Sequence, residues 1–133
     1  MLTKELPVDT SRDQFIDITP AAVEFCRPLG DGLLSVFVPH ATAGVALIEV
    51  GSGTEQDLVA AMARLLPRED VYVHHHGSVG HGADHVLPAL ISPSITIPVV
   101  GGRILLGTWQ SIVLVDLNDD NPRRRVRLSF LPG

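Results

Sequence analysis

A β-hairpin is predicted by the stretch Ser94-Ile95-Thr96-Ile97-Pro98-Val99-Val100-Gly101-Gly102-Arg103-Ile104-Leu105-Leu106. Its aliphatic and β-branched residues form two predicted strands, 94–100 and 103–106. The Gly101-Gly102 pair between them supplies the positive φ angles that a tight hairpin turn requires. Because Pro98 cannot donate a backbone hydrogen bond, we expect it at a sheet edge or a bulge. The stretch therefore predicts antiparallel pairing of neighbouring strands.

Five more strands are predicted from alternating or aliphatic runs bounded by turn residues: 14–18, 33–38, 44–50, 110–117 and 124–130. The second and third of these are joined at a bend, Pro39-His40-Ala41-Thr42, which places His40 at a strand end. Since most strands are linked by short turns, the sequence predicts one α+β domain over residues 1–133. We expect largely antiparallel sheet, with two or three helices packed against it.

Three helices are predicted from start and stop signals. Thr19-Pro20 offers an N-cap followed by proline, and a short helix to about Arg27 follows. Ser52 and Glu55 have the spacing of a capping box, and apolar residues then recur at helical spacing until Pro67. The third helix is predicted from about Ala83 to Ile91, with Pro88 in its first turns or breaking it.

The composition excludes several classes of protein. A chain of 133 residues with 45% hydrophobic content can bury a core without a disulfide, and Cys26 is its only cysteine. We therefore expect a soluble, cytoplasmic protein, and no apolar run has the length of a signal peptide or a membrane span. The net charge of −5 argues against nucleic acid as a partner, since residues 123–125 form the one basic run.

Histidines dominate the candidate chemistry. Five of the six lie in one short, glycine-rich segment, at positions 74, 75, 76, 81 and 85. Imidazole binds zinc and other borderline metals, and Glu49 or Asp84 would add an oxygen ligand. The spacing matches no specific zinc motif, however, so solvated loop histidines with ordinary hydrogen bonds are the alternative. His75 and His76 are the members we expect to stand apart from a site.

Three other features have both a functional and a structural interpretation. Glu49 follows an aliphatic strand, where a carboxylate lies either at the surface or in a polar pocket. The turn Gly107-Thr108-Trp109-Gln110 is suited to gripping a planar polar ligand, although a tryptophan packed at a sheet bend is common. Arg123 and Arg124 can donate paired hydrogen bonds to a phosphate, or they are solvated on opposite faces of a strand.

In combination these motifs resemble the YjbQ-like family, also called secondary thiamine-phosphate synthase enzymes. The most specific part is residues 94–99 followed by Gly102 and Leu105-Leu106-Gly107-Thr108-Trp109-Gln110-Ser111-Ile112. The remaining motifs are these: His40-Ala41-Thr42-Ala43-Gly44, Glu49, Tyr72-Val73-His74 and His85. The resemblance covers nearly the whole chain and implies a small α+β fold that assembles as a homotrimer, with a pocket between subunits.

The resemblance also implies roles for particular residues. It assigns His40, Glu49, His74 and His85 to catalysis, and three of them, His40, His74 and His85, to a divalent metal that is zinc or magnesium. Substrate-binding roles fall to the following: Thr42, Trp109, Gln110, Arg123 and Arg124.

Three departures from the family pattern concern the site. His81 stands where an asparagine is usual, Val50 follows the glutamate in place of a common asparagine, and Asn121-Pro122-Arg123 replaces Gly-Pro-Arg. The extra imidazole at position 81 would add a ligand or shift the preferred metal.

Three functions fit these expectations. The first is the family's transferase activity, in which an aminopyrimidine-methyl diphosphate is joined to a thiazole phosphate with release of diphosphate. The second is a metal-dependent hydrolase of a small phosphorylated metabolite. The third is a trimeric metal-binding or metabolite-binding protein without catalysis, since a pocket and a metal do not by themselves establish turnover.

Overall fold

Two antiparallel sheets and three helices make up the computed structural model, which describes residues 1–69 and 71–133. The strands are β1 (Leu2–Asp9), β2 (Phe15–Asp17), β3 (Gly32–Phe37), β4 (Gly44–Ile48), β5 (Ser94–Val100), β6 (Arg103–Ile104), β7 (Ser111–Val115) and β8 (Arg123–Pro132). The helices are α1 (Thr19–Cys26), α2 (Thr54–Leu65) and α3 (His81–Leu90). The predicted α+β class and its antiparallel sheets are confirmed.

The two sheets differ in size. The larger has the strand order β1-β8-β3-β5-β6, and the smaller has the order β2-β7-β4. In the larger sheet Leu34 lies opposite Phe130 on one side and Ile97 on the other, so buried residues line up across three strands.

Strand β7 lies between two hydrophobic cores, because its successive side chains point to opposite faces. Ile112 and Leu114 pack into the core that the two sheets share with α1. Val113 and Val115 pack into a second core against residues from α2 and α3, including Met62. The layers are therefore large sheet, small sheet and helix pair, and the segment that follows β7 emerges beside α3.

The hairpin at residues 94–106 forms as predicted, although its second strand is shorter. Gly101 and Gly102 adopt φ angles of +56° and +77° in the turn between β5 and β6. Pro98 lies in β5 opposite Leu33, and its carbonyl accepts a hydrogen bond from the amide of Leu105 beyond the end of β6. The proline thus occupies a stretch where the sheet is ending.

Several boundaries differ from the predictions. Strand β1, which the sequence did not predict, pairs along its whole length with β8, and its first four residues are exposed. Helix α2 is preceded by Gly53 at φ +95° and has no side-chain cap; Glu55 accepts a hydrogen bond from the Gly51 amide instead of completing a capping box with Ser52. Helix α3 begins at His81, two residues before the predicted start.

Within the described residues, none of the helices is both long and apolar enough to cross a bilayer.

Candidate metal centre

Three histidines converge at the start of α3. His81 and His85 lie four residues apart on this helix, which places both imidazoles on one face. His74 reaches the same face from the preceding loop. One ring nitrogen from each lies within 4.8 Å of the others. Among the described residues, this is the group of side chains suited to a metal ion. The resemblance implied His40, His74 and His85 as ligands, whereas the structure brings His81 together with His74 and His85.

Glycines allow the loop to approach the helix this closely. A Cβ at Gly82 would collide with the carbonyl oxygen of His74 and would lie 2.7 Å from the Cβ of Tyr72. Gly77 has a φ of +81°, and a Cβ there would lie 2.8 Å from Nδ1 of His81. The glycine-rich composition therefore serves close packing of the histidine loop on α3.

A carboxylate orients the central imidazole. Oδ2 of Asp120 lies 2.6 Å from Nδ1 of His81, and Nε2 of His81 lies 3.1 Å from Nε2 of His85. A proton on Nδ1 that is donated to Asp120 leaves Nε2 of His81 with its lone pair directed into the cluster. The hydrogen bond from His81, followed by that from Ser78, holds the pKa of Asp120 below its usual value.

The surroundings also favour neutral imidazoles. Desolvation, and then repulsion from neighbouring histidines, lowers the pKa of both His74 and His85. A neutral imidazole is the form that binds a metal, so the lowered pKa values of His74 and His85 favour their ligand state over the protonated one.

An ion pair with a buried carboxylate fixes the first turn of α3. Asp84 is 1% exposed and accepts two hydrogen bonds from the guanidinium of Arg68, at 2.7 and 3.0 Å. Arg68 also donates to the carbonyl oxygens of Val79 and Leu117, so it joins the loop before α3, α3 itself and the segment that follows β7. Asn118 donates its amide to Asp84 at 2.9 Å.

A second ion pair, in which both partners are buried, includes the predicted substrate-binding residue Arg124 and is hydrogen-bonded to another, Thr42. Arg124 donates to both oxygens of Asp116, at 2.7 and 3.0 Å, and to the hydroxyl of Thr42 at 2.8 Å. Arg124 and Asp116 are 3% and 2% exposed. Within this chain the guanidinium of Arg124 is thus engaged by a carboxylate, and its role as a diphosphate ligand stays a prediction.

His40 adjoins this second pair instead of the histidine cluster. Its Nε2 accepts a hydrogen bond from the backbone amide of Arg125 at 2.9 Å, so that nitrogen is not available to a metal in this conformation. Burial, and then the charges of Arg124 and Arg125, lower the pKa of His40. A catalytic role for His40 stays a prediction.

The other predicted residues lie outside the group of three histidines. Glu49 is half-buried just beyond the end of β4, and Arg123 is exposed at the start of β8. Trp109 is 73% exposed on a turn that Gln110 closes, since its side-chain oxygen accepts a hydrogen bond from the Gly107 amide at 2.8 Å. Their assigned roles also stay predictions.

Sequence reasoning missed the acidic and amide side chains that follow β7. Every second residue of this segment makes one of the contacts described above. Asp116 pairs with Arg124, Asn118 donates to Asp84, and Asp120 contacts His81. A polar run directly after an aliphatic strand was the available signal, because side chains at a strand end are often positioned for polar contacts.

Comparison with known proteins decides the family. The family model described as UPF0047 protein YjbQ-like matches residues 4–133. The chain belongs to the YjbQ-like family. This confirms the resemblance identified in the sequence motifs.

Relatives of this YjbQ-like chain match it from end to end. It is 64% identical to UPF0047 protein Rv2556c of Mycobacterium tuberculosis over 100% of both chains. It is 31% identical to UPF0047 protein YugU of Bacillus subtilis, covering 87% of each. Among solved structures, the hypothetical protein APE1520 of Aeropyrum pernix superposes with a TM-score of 0.88 at 36% identity, over 100% of both chains. These names give the family and its fold and state no reaction.

Proposed function

We propose that this YjbQ-like chain is a zinc-dependent enzyme with a centre held by His74, His81 and His85. The observation that carries the proposal is the convergence of three imidazole nitrogens within 4.8 Å. Tetrahedral zinc with Zn–N bonds of roughly 2.0–2.1 Å places its ligand nitrogens about 3.4 Å apart. Small side-chain rotations would bring the three nitrogens to that spacing.

The donor set favours zinc over magnesium. Magnesium prefers oxygen ligands and retains several waters, whereas imidazole suits zinc. The carboxylate of Asp120 contacts the far nitrogen of His81, which is the arrangement that fixes the tautomer and orientation of a zinc-binding histidine. Glu49 and Asp84, the oxygen ligands considered from the sequence, are not in the group; Asp84 is engaged by Arg68.

The chemistry that suits such a centre is hydrolysis of a small phosphorylated metabolite. Zinc bound by three imidazoles supplies a Lewis acid that polarises a phosphoryl oxygen and activates water. His74, His81 and His85 hold the ion, and Asp120 accepts the Nδ1 proton of His81. If both Nε2 atoms of His81 and His85 were ligands, binding of the ion would require release of a proton shared between them, because both lone pairs would be needed.

A second candidate reaction is the thiamine phosphate synthesis implied by the family resemblance. The feature that favours it is Trp109, whose exposed ring on a rigid turn is suited to stacking on a pyrimidine. In this reaction Glu49 would hydrogen-bond the pyrimidine amine, and Arg123 would contact the leaving diphosphate. Arg124 supports it less, because Asp116 engages its guanidinium.

The same tryptophan supports a homotrimer as the working form. Trp109 belongs to neither hydrophobic core and is 73% exposed, and tryptophan is a residue type enriched at protein interfaces. A site shared between subunits would bring this turn to the histidines of a second copy. Light scattering tests the assembly, and a monomer would contradict it.

The first experiment is metal analysis of tag-free, gently purified protein by plasma mass spectrometry. We expect near-stoichiometric zinc in the wild type and in His75→Ala, and its loss in His74→Ala and His85→Ala. Absence of metal from every sample, even after reloading with zinc, magnesium or manganese, would refute the centre.

Turnover assays then separate the candidate reactions. Phosphate release from phosphorylated metabolites without a condensation partner supports hydrolysis. Formation of thiamine phosphate from its two precursors supports the transferase. Bound zinc with neither product would support a non-catalytic metal-binding protein. For all three functions the proposed compartment is the cytoplasm, where a lone buried cysteine stays reduced.

A further inference from the structure

A fourth histidine, His76, lies against the three that converge on α3. Its ring centroid is 4.3 Å from that of His74 and 4.7 Å from that of His81. The ring centroid of His85 lies 4.2 Å from that of His74 and 4.7 Å from that of His81. Each of the four imidazoles therefore has its centroid within 5.1 Å of at least two others, although we expected His76 to stand apart.

These spacings are compatible with four imidazoles around one ion. A ring that binds tetrahedral zinc has its centroid about 3.2 Å from the ion, so bound rings have centroids about 5 Å apart. The ring centroids of His74 and His81 are 5.1 Å apart. Five of the six pairs among these rings are thus at, or somewhat below, the separation that a tetrahedral ion requires.

His76 differs from His81 and His85 in how firmly it is held, and from the equally exposed His74 in its distance from the other ligand nitrogens. His81 is tied to Asp120, and both His81 and His85 extend from a helix. His76 is exposed in the loop and makes no side-chain hydrogen bond with the residues that the structure describes. It also lies outside the group whose nitrogens are within 4.8 Å of one another. A modest loop movement, and no change in α3, would bring it to the ion.

We propose that His76 is an exchangeable fourth ligand that closes the zinc centre and is displaced when a substrate oxygen binds. This rests on the three-histidine centre proposed above. With His76 bound, all four positions are filled by nitrogen, as in a closed structural zinc site; with His76 displaced, one position opens, as catalytic zinc sites require. The exchange forms one metal–oxygen bond and breaks one metal–nitrogen bond, and it needs no other reactant.

His75 provides a matched control for His76. It is adjacent in the same exposed loop, but its Nδ1 lies 3.2 Å from the carbonyl oxygen of Tyr72, and its ring is not among those stacked in the cluster. Replacing either residue by alanine removes one exposed imidazole. A difference between the two variants therefore reports on the position of His76 and not on loop composition.

The test compares wild type, His75→Ala and His76→Ala by zinc competition with a chelator and by the visible spectrum of the cobalt-substituted protein. We expect His76→Ala to bind zinc at least roughly tenfold more weakly, since even outer-shell partners of a metal site contribute that much. Thiocyanate should change the cobalt spectrum at lower concentration in His76→Ala than in the other two proteins, because an anion no longer competes with an imidazole.

The outcomes separate this inference from the proposed centre. If the wild type binds no zinc, both fail. If the wild type binds zinc and His74→Ala loses it, but His76→Ala matches His75→Ala in affinity and thiocyanate response, the centre stands and the role of His76 is refuted. Thermal unfolding of each variant confirms that the comparison is made between folded proteins.

Discussion

Replacing Arg124 by methionine should destabilise the fold severely, because it leaves a buried carboxylate without its cation. Asp116 accepts four hydrogen bonds: two from Arg124, one from the Thr10 hydroxyl at 2.7 Å and one from the Asn118 amide at 3.0 Å. Methionine preserves the apolar stem but removes both guanidinium donors. Breaking one partner of a buried ion pair costs about 3–5 kcal/mol, a large part of the roughly 5–15 kcal/mol that stabilises a typical domain.

Urea unfolding followed by tryptophan fluorescence and circular dichroism measures this effect. Arg123→Met is the matched control, since its exposed neighbouring side chain should change the free energy of unfolding by no more than about 0.5 kcal/mol. All proteins must be compared at one protomer concentration, because assembly would add to the apparent stability. Equal midpoints for the two variants would refute the structural role of Arg124. If product formation were then lost in Arg124→Met alone, the guanidinium would belong to substrate binding.

Three further substitutions test the centre and its surroundings. Asp120→Asn should weaken zinc binding by roughly 10–100-fold, as measured by chelator competition, whereas the exposed neighbour Asp119→Asn should not; equal affinities would remove Asp120 from the site. Gly82→Ala places a Cβ against the carbonyl of His74. We therefore expect lower zinc content and a free energy of unfolding that is lower by about 1–3 kcal/mol. Unchanged zinc content with an unchanged melting temperature would contradict this. The pKa of His40 is lowered from 6.5, so its neutral form stabilises the fold above that pH and this contribution is lost as the pH falls through the folded-state pKa. The urea midpoint should therefore drop more between pH 7.5 and 5.5 in the wild type than in His40→Gln. Equal drops in the two proteins would show that His40 does not contribute to the pH dependence of stability.

The hairpin and the helices were predictable because their signals are local. Gly101-Gly102 specifies a turn by backbone freedom alone, and helical periodicity located α2 to within a few residues. Strand β1 was missed because it lies at the edge of the sheet with mostly exposed side chains, so its pairing with β8 leaves only weak alternation in the sequence.

The histidine centre was only partly predictable. Clustering in sequence identified the segment, but glycines around position 80 concealed that α3 starts at His81, and the helix is what pairs His81 with His85. Asp120 lies 39 residues further along the chain, and its contact with His81 depends on where β7 ends. Spacing in a single sequence carries no information about a contact made through the fold.

Asn118 connects two ion pairs, each with a buried carboxylate, to the histidine cluster. Its backbone amide donates to Asp116, its side-chain amide donates to Asp84, and its side-chain oxygen accepts the backbone amide of Asp120. Each buried carboxylate needs several donors to offset its desolvation, and Asn118 supplies one to each pair. The same side chain fixes the backbone of the residue that orients His81. Folding stability and the orientation of His81 therefore depend on one network, in which a shift of either ion pair would reach the histidine cluster through Asn118 and Asp120.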